Sequence, residues 1–274
     1  MYNPDQILSN NSGSKVPPLE GFREAYILHL ADTTLILSQR NSEWCGHGPV
    51  LEQDIAITNI SLDLLGQSRN FYQYAAQLIN DSNRVGGEVT EDKLAYLRKE
   101  REFKNLLLVE QQNGDWGQTI LRQYLFSQYQ YLLFEKLQQS SDEQLAAIAA
   151  KSLKETKYHV RWSSEWVIRL GDGTEESHSR MQQAITELWP YTGEMFEPAD
   201  YEIAFGIDLL SIKNSWDEKV KNIFDEAMLP IPPLGGGGAV FMQSGGKEGR
   251  HTEQLGYIIT ELQYMQRTYP DSEW

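Results

Sequence analysis

Two four-residue windows, Leu64-Leu65-Gly66-Gln67 and Thr156-Lys157-Tyr158-His159, have the spacing of an iron chelate without its residue types. On an α-helix, a Glu and a His three positions apart stand on one face. A bundle that holds two irons therefore takes a Glu-x-x-His from each of two helices and one more carboxylate from each of two others. Here Leu64 and Gln67 occupy the first pair of positions and Thr156 replaces the Glu of the second, so His159 is the surviving remnant. The chain thus has the scaffold of an oxygen-activating enzyme without the metal site, which points to a role in supporting a partner.

Long helices must position these windows, and almost every long segment has helical periodicity, with no alternating run of β-branched residues. The expected class is all-α, a ferritin-like helical bundle with additional C-terminal helices. A first helix over about residues 19–39 carries Ile27, Leu30 and Ala31 on one face and Leu28 and Leu35 on another, as a helix buried inside a bundle does. A second, over about residues 49–79, would be opened by Pro49 at its first turn, with Ile57, Ile60, Leu64, Gln67 and Phe71 pointing inward. Thr90 would cap a helix reaching about Glu110. The next helix covers about residues 116–138, with Ile120, Tyr124, Ser127, Tyr131 and Phe134 as its stripe. The one after runs to about Leu170 from a cap at Ser141-Asp142-Glu143, with Ser152, Thr156, His159 and Ser163 inward. Beyond it the pattern predicts a helix over about residues 175–196, one or two shorter ones before Met228, a linker from Pro230 to Gly249 and a last helix over about 252–269.

Taken together, the inward positions are Thr34, Leu64, Gln67, Ser127, Thr156 and His159, and no carboxylate is among them. Alkyl and hydroxyl groups hold iron poorly or not at all. A register error of one residue would bring in Asp32, Asp63 or Glu155, still without a second imidazole. His159 is expected to be a hydrogen-bonded core histidine next to Gln67 and Thr156.

Composition narrows the function further. The chain has 274 residues, 40% hydrophobic and 23% charged, which suits one helical domain over residues 19–274 behind a flexible N-terminal extension at 1–18. A net charge of -15 argues against nucleic acid or an anionic membrane as partner. No apolar run of membrane-spanning length occurs and the N-terminus lacks a signal-peptide pattern, so the expected location is cytoplasmic. The single cysteine, Cys45, allows no internal disulfide and is expected to be buried. The aromatic residues Trp116, Tyr124, Tyr129, Tyr131 and Phe134 are expected in the core and at a subunit interface. The segment Gly245-Gly246-Lys247-Glu248-Gly249-Arg250-His251 precedes the last helix. It is either a surface loop or an anion site in which Lys247 and Arg250 would meet a phosphate.

Several longer motifs occur in order: Leu37-Ser38-Gln39-Arg40, Glu43-Trp44-Cys45-Gly46-His47, Leu62 to Gln67, Asn105 to Gln111, Lys154 to His159, Gly245-Gly246-Lys247 and His251-Thr252-Glu253. By these motifs the sequence, from about Gly21 to Trp274, resembles the family of non-catalytic ferritin-like partners in multicomponent phenylacetyl-CoA ring-1,2-epoxidases, the bacterial monooxygenases of phenylacetate degradation. The resemblance implies a ferritin-like subunit without irons, paired with a catalytic di-iron subunit. It sets Thr34 at the first-helix Glu, Leu64 and Gln67 at the first Glu-x-x-His, Ser127 at the Asp of the third helix, and Thr156 and His159 at the second Glu-x-x-His. It further implies no cofactor in this chain, electrons delivered from NADPH through a separate flavin and iron-sulfur reductase, and a share in the environment of phenylacetyl-CoA at the interface. Self-association of the isolated chain is also expected.

Overall fold

Two antiparallel helical hairpins, joined by a long crossover, make the body of the protein, seen in a computed structural model that describes residues 19–82, 87–232, 240–270 and 272. The expected extension at residues 1–18 and the Gly235 to Gly238 run lie outside the described residues. The first hairpin is α1 (Leu19–Ser42) and α2 (Leu51–Asp81). The crossover contains α3 (Glu91–Tyr96) and α4 (Leu107–Glu110), and the second hairpin is α5 (Trp116–Leu137) and α6 (Glu143–Gly171). Then follow α7 (Glu175–Leu188), α8 (Asp200–Phe205), α9 (Leu209–Glu226), α10 (Glu253–Leu262) and α11 (Tyr264–Thr268). Among the described residues there is no strand.

Direction follows from the pairings. Ser38 donates to the Ser61 carbonyl at 2.8 Å and Ser68 to the Ala31 carbonyl at 3.0 Å, so α1 and α2 are antiparallel. Trp116 meets Trp162 and Trp166 edge-on while Thr156 meets Gln130, which makes α5 and α6 antiparallel as well. Across the hairpins, Gln67 meets Gln130 and Phe71 meets Phe134, so α2 and α5 run in the same sense. Two parallel helices need a connection as long as the bundle, and a single such crossover gives the ferritin-like topology.

The expected helices map closely onto α1, α2, α5 and α6. Tyr26, Ile27, Leu30, Ala31, Leu35 and Ile36 are all buried, so α1 has apolar contacts on several faces, whereas α6 keeps one polar outer face. Asp115 and Asp142 cap α5 and α6 by accepting from Gln118 and Leu145 N–H at 2.9 and 3.0 Å. Pro49 does not open α2, which begins at Leu51 after an extended Val50.

Other expectations are corrected. The helix expected from Thr90 to Glu110 ends at Tyr96, and after a short 3-10 turn at Glu100–Glu102 the chain is extended into α4. Phe103 and the run Leu106 to Val109 are buried, more than one helix face can hide. Other elements take over the backbone groups here: Lys104 N–H donates to Asp32 at 2.8 Å and Leu107 N–H to Glu194 at 2.7 Å. Tertiary partners thus replace helical bonds. The helix expected over 175–196 ends at Leu188, followed by two 3-10 turns; Pro190 has no N–H with which to continue it. The last helix divides at Gln263. Cys45, expected inside, is exposed in the turn after α1.

Candidate functional site

All six expected inward positions lie in the core. Thr34 is 2% exposed, Gln67 1%, and Leu64, Ser127, Thr156 and His159 are fully buried. Their polar atoms are held mainly by neutral neighbours. Thr34 turns its hydroxyl back to the Leu30 carbonyl at 2.9 Å, and Thr156 does the same to Ser152. Gln130 of α5 donates to Gln67 at 3.0 Å, and Gln67 donates to Glu155 at 2.9 Å. A second relay runs from Asn41 to Gln123 at 2.7 Å and from Gln123 to Ser127 at 2.7 Å. Amides and hydroxyls therefore cross-link all four long helices where two irons would need charged oxygens.

Sequence reasoning missed Asn41, Gln123 and Gln130. The signal was present, since Gln123, Ser127 and Gln130 recur at helical spacing on α5 opposite Gln67. The carboxylates one residue out of register are also placed. Asp63, on the edge of α2, lies 3.0 Å from Nε2 of His159, while Nδ1 of that ring has no partner. His159 thus points along the α2–α6 seam, and the neighbour expected in Gln67 and Thr156 is replaced by Asp63. Glu155 meets Gln67 from the other side of the seam, and Asp32 is buried but faces away toward the crossover. Among the described residues no group of three His, Cys, Asp or Glu side chains is arranged to hold a metal ion. The donor set of one imidazole, one amide and three hydroxyls around an alkyl group does not suit iron. A small cavity of about 10 Å³, room for roughly one water, lies beside Thr34 and Gln130.

A different constellation, on the crossover side of α1, concentrates buried charge. Arg98 is paired with Asp32, whose carboxylate also accepts from Tyr72 OH at 2.5 Å. Glu194 takes backbone N–H bonds from Leu107, Gly245 and Gly246; burial raises its carboxyl above the usual range and these donors act against that. Lys247 is 4% exposed, with its ammonium 2.8 Å from Glu202 and a second bond to the Glu197 carbonyl at 2.8 Å. His29 donates from Nδ1 to the Lys104 carbonyl at 2.7 Å, and burial lowers its pKa to about 4. His251 has Glu110 3.0 Å from Nδ1 and the Phe103 carbonyl 2.9 Å from Nε2. Both ring nitrogens face acceptors, so both carry protons; although burial opposes it, the Glu110 carboxylate raises this pKa above the usual value.

These contacts give the surroundings of the two cations of the expected anion site. Lys247 is spent on Glu202 and two carbonyls inside the turn, so its ammonium is not offered to a solvent-borne phosphate. Arg250 keeps a 71% exposed side chain, paired with Glu248. It edges a shallow pocket of about 60 Å³ that also contains Glu194, Glu197 and Glu248. The two glycines before Lys247 are needed for its burial: Gly245 has φ +135°, and a Cβ on Gly246 would stand 2.2 Å from the Asn105 carbonyl.

The likeness to known proteins runs along nearly the whole chain. The model of a family described as phenylacetic acid catabolic protein matches residues 23–274. This chain belongs to that family. Within it, the chain is 47% identical over 255 residues to the C subunit of the 1,2-phenylacetyl-CoA epoxidase of Escherichia coli (strain K12), a match that covers 91% of this chain and 98% of that protein. The motifs that carry the family resemblance fall on both regions: Leu62 to Gln67 and Lys154 to His159 on the neutral relays, and Asn105 to Gln111, Gly245 to Lys247 and His251 on the charged constellation.

Proposed function

We propose that this chain is a metal-free structural subunit of a phenylacetyl-CoA epoxidase. In this reading the aromatic ring is epoxidised in a catalytic di-iron partner, with electrons passing from NADPH through a flavin and iron-sulfur reductase. The chain itself holds no cofactor, catalyses nothing and works in the cytoplasm. One observation supports the reading: the six expected inward positions are filled by Thr34, Leu64, Gln67, Ser127, Thr156 and His159, whose bonds run to amides, hydroxyls and backbone carbonyls, with carboxylates reached from Gln67 to Glu155 and from His159 to Asp63. Several buried carboxylates around no cation would cost several kcal/mol each, and this core avoids that cost. It also leaves no site for oxygen chemistry uncoupled from substrate.

The work done by this chain is positioning. A rigid bundle can fix the helices of a partner through an interface of the obligate kind, above roughly 2,000 Å² in total. Without that partner the isolated chain would self-associate. Arg250 remains available to a phosphate of the substrate at the interface, whereas Lys247 belongs to the turn beneath it.

Reconstitution tests the proposal. The di-iron subunit and reductase should oxidise phenylacetyl-CoA only when this chain is added, and this chain with reductase alone should be inactive. A di-iron partner fully active without it, or turnover by this chain alone, would overturn the reading.

A further inference from the structure

The outward face of the α2–α6 layer carries two rows left exposed among the described residues. On α2, Leu51, Ile55, Leu62 and Leu65 are 71, 51, 58 and 43% exposed and recur at helical spacing. An isolated exposed leucine is ordinary, but four along one face of one helix are a patch. Between them and α6 lies Gly66, exposed in mid-helix, where an added Cβ would meet nothing within 4 Å. A glycine there weakens the helix relative to alanine, and no contact among the described residues requires it.

The neighbouring row is cationic. Lys151, Lys154, Lys157, Arg161 and Arg169 are exposed along the outer side of α6, interrupted only by Glu165. None of these five cations has an ion pair among the described residues; Arg161 and Arg169 lie only over the rings of Tyr158 and Trp166. In a chain of net charge -15 this is a local reversal of sign. The α2 stretch from Leu51 to Ser68, by contrast, contains no Lys or Arg.

We propose that this face is the docking surface for another subunit of the assembly, one that presents a helix with an apolar ridge and an acidic flank. The apolar side would lie over Leu62, Leu65 and the open Gly66, and the acidic side along Lys154 and Arg161. Charge decides between this occupant and a second copy of the same chain. Across a two-fold axis the face would meet either the cationic row or the apolar row of its copy, and neither pairs these cations. A different, acidic chain satisfies both rows. The assignment rests on the subunit reading above and adds to it the face and the character of the partner.

Binding of the full chain to its co-expressed di-iron partner tests it, with each variant's own melting temperature as the control for folding. Lys154→Glu with Arg161→Glu should weaken binding at least about tenfold at low salt and flatten its salt dependence. Leu62→Ser with Leu65→Ser should weaken it by a similar factor at every salt concentration. Gly66→Ala should raise the chain's own melting temperature while weakening the complex. If the parent binds and both double variants, folded, bind equally well, the face is wrong although the subunit reading stands. If the parent binds no partner, the subunit reading fails and takes the face with it. Should coenzyme A or pyrophosphate stabilise the isolated chain, and only while Lys154 and Arg161 are intact, the row is a small-anion site and the docking proposal is overturned.

Discussion

At the centre of the bundle, Gln130 bonds Gln67 and Thr156, and Gln123 bonds Asn41 and Ser127, all as neutral groups; on the crossover side of α1, Asp32, Glu110, Glu194 and Glu202 meet Arg98, His251, backbone N–H groups and Lys247. The two regions are about equally buried, and they differ in what a lost partner leaves behind. A broken amide bond leaves an unpaired dipole, at a cost of about 1–3 kcal/mol, whereas a broken buried ion pair leaves a bare charge and costs about 3–5 kcal/mol. The charged region clamps segments with little helical bonding of their own, at residues 97–106 and 243–252. The neutral region joins helices that already satisfy their backbones. Charge is thus concentrated where irregular chain needs pinning, whereas around the six expected inward positions carboxylates enter from the half-buried rim, as Asp63 and Glu155 do.

The largest expected effect is in the charged region. Lys247→Ala leaves Glu202 buried without its partner and should destabilise the chain by about 3–5 kcal/mol in urea unfolding. A loss below about 1 kcal/mol would show that the turn is not held by this pair.

Charging the neutral region is next. Leu64→Glu with Gln67→His adds a buried carboxylate while Thr34, Ser127 and Thr156 still offer none, so the double variant should lose a few kcal/mol and gain no oxidation activity. Parental stability would mean that the centre tolerates charge as the other region does.

The buried histidines divide the pH dependence between them. His29, beside Glu202, Lys247 and Asp32, has its folded pKa lowered to about 4 from 6.5, so its contribution is complete above the unfolded value and is lost as pH falls toward 4, by roughly 3 kcal/mol. His251 is raised, so its contribution is complete below 6.5 and is lost as pH rises through its folded pKa. Unfolding from about pH 4 to 9 should show His29→Gln with a flatter acid limb and His251→Gln with a flatter alkaline one. An unchanged limb in either variant would remove that histidine from the account.

The smallest effect separates neighbours in sequence. Arg250→Ala breaks an exposed pair with Glu248 and should change stability by no more than about 0.5 kcal/mol, in contrast to Lys247→Ala three residues away.

Much of the neutral region was legible from periodicity, because a long helix with a continuous core fixes which residues face inward; Thr34, Leu64, Ser127 and His159 followed directly. The amides Gln123 and Gln130 share that inward side of α5, but spacing on one helix does not reveal the hydrogen bonds that join it to the next. The charged region was hardly legible. Its partners lie far apart in sequence, as with Glu110 and His251, and the crossover gave up its helix to tertiary bonds that no local pattern encodes. Lys247 reads in sequence as a surface cation because its glycine neighbours resemble a loop, whereas close approach of Gly246 to Asn105 buries it.

Iron content tests the central claim most directly. The purified chain, incubated with ferrous iron without oxygen, desalted and analysed for metal, should retain well under one iron and give no di-iron absorption on exposure to oxygen. Retention of about two irons per chain, the complement of a di-iron bundle, would contradict the metal-free reading.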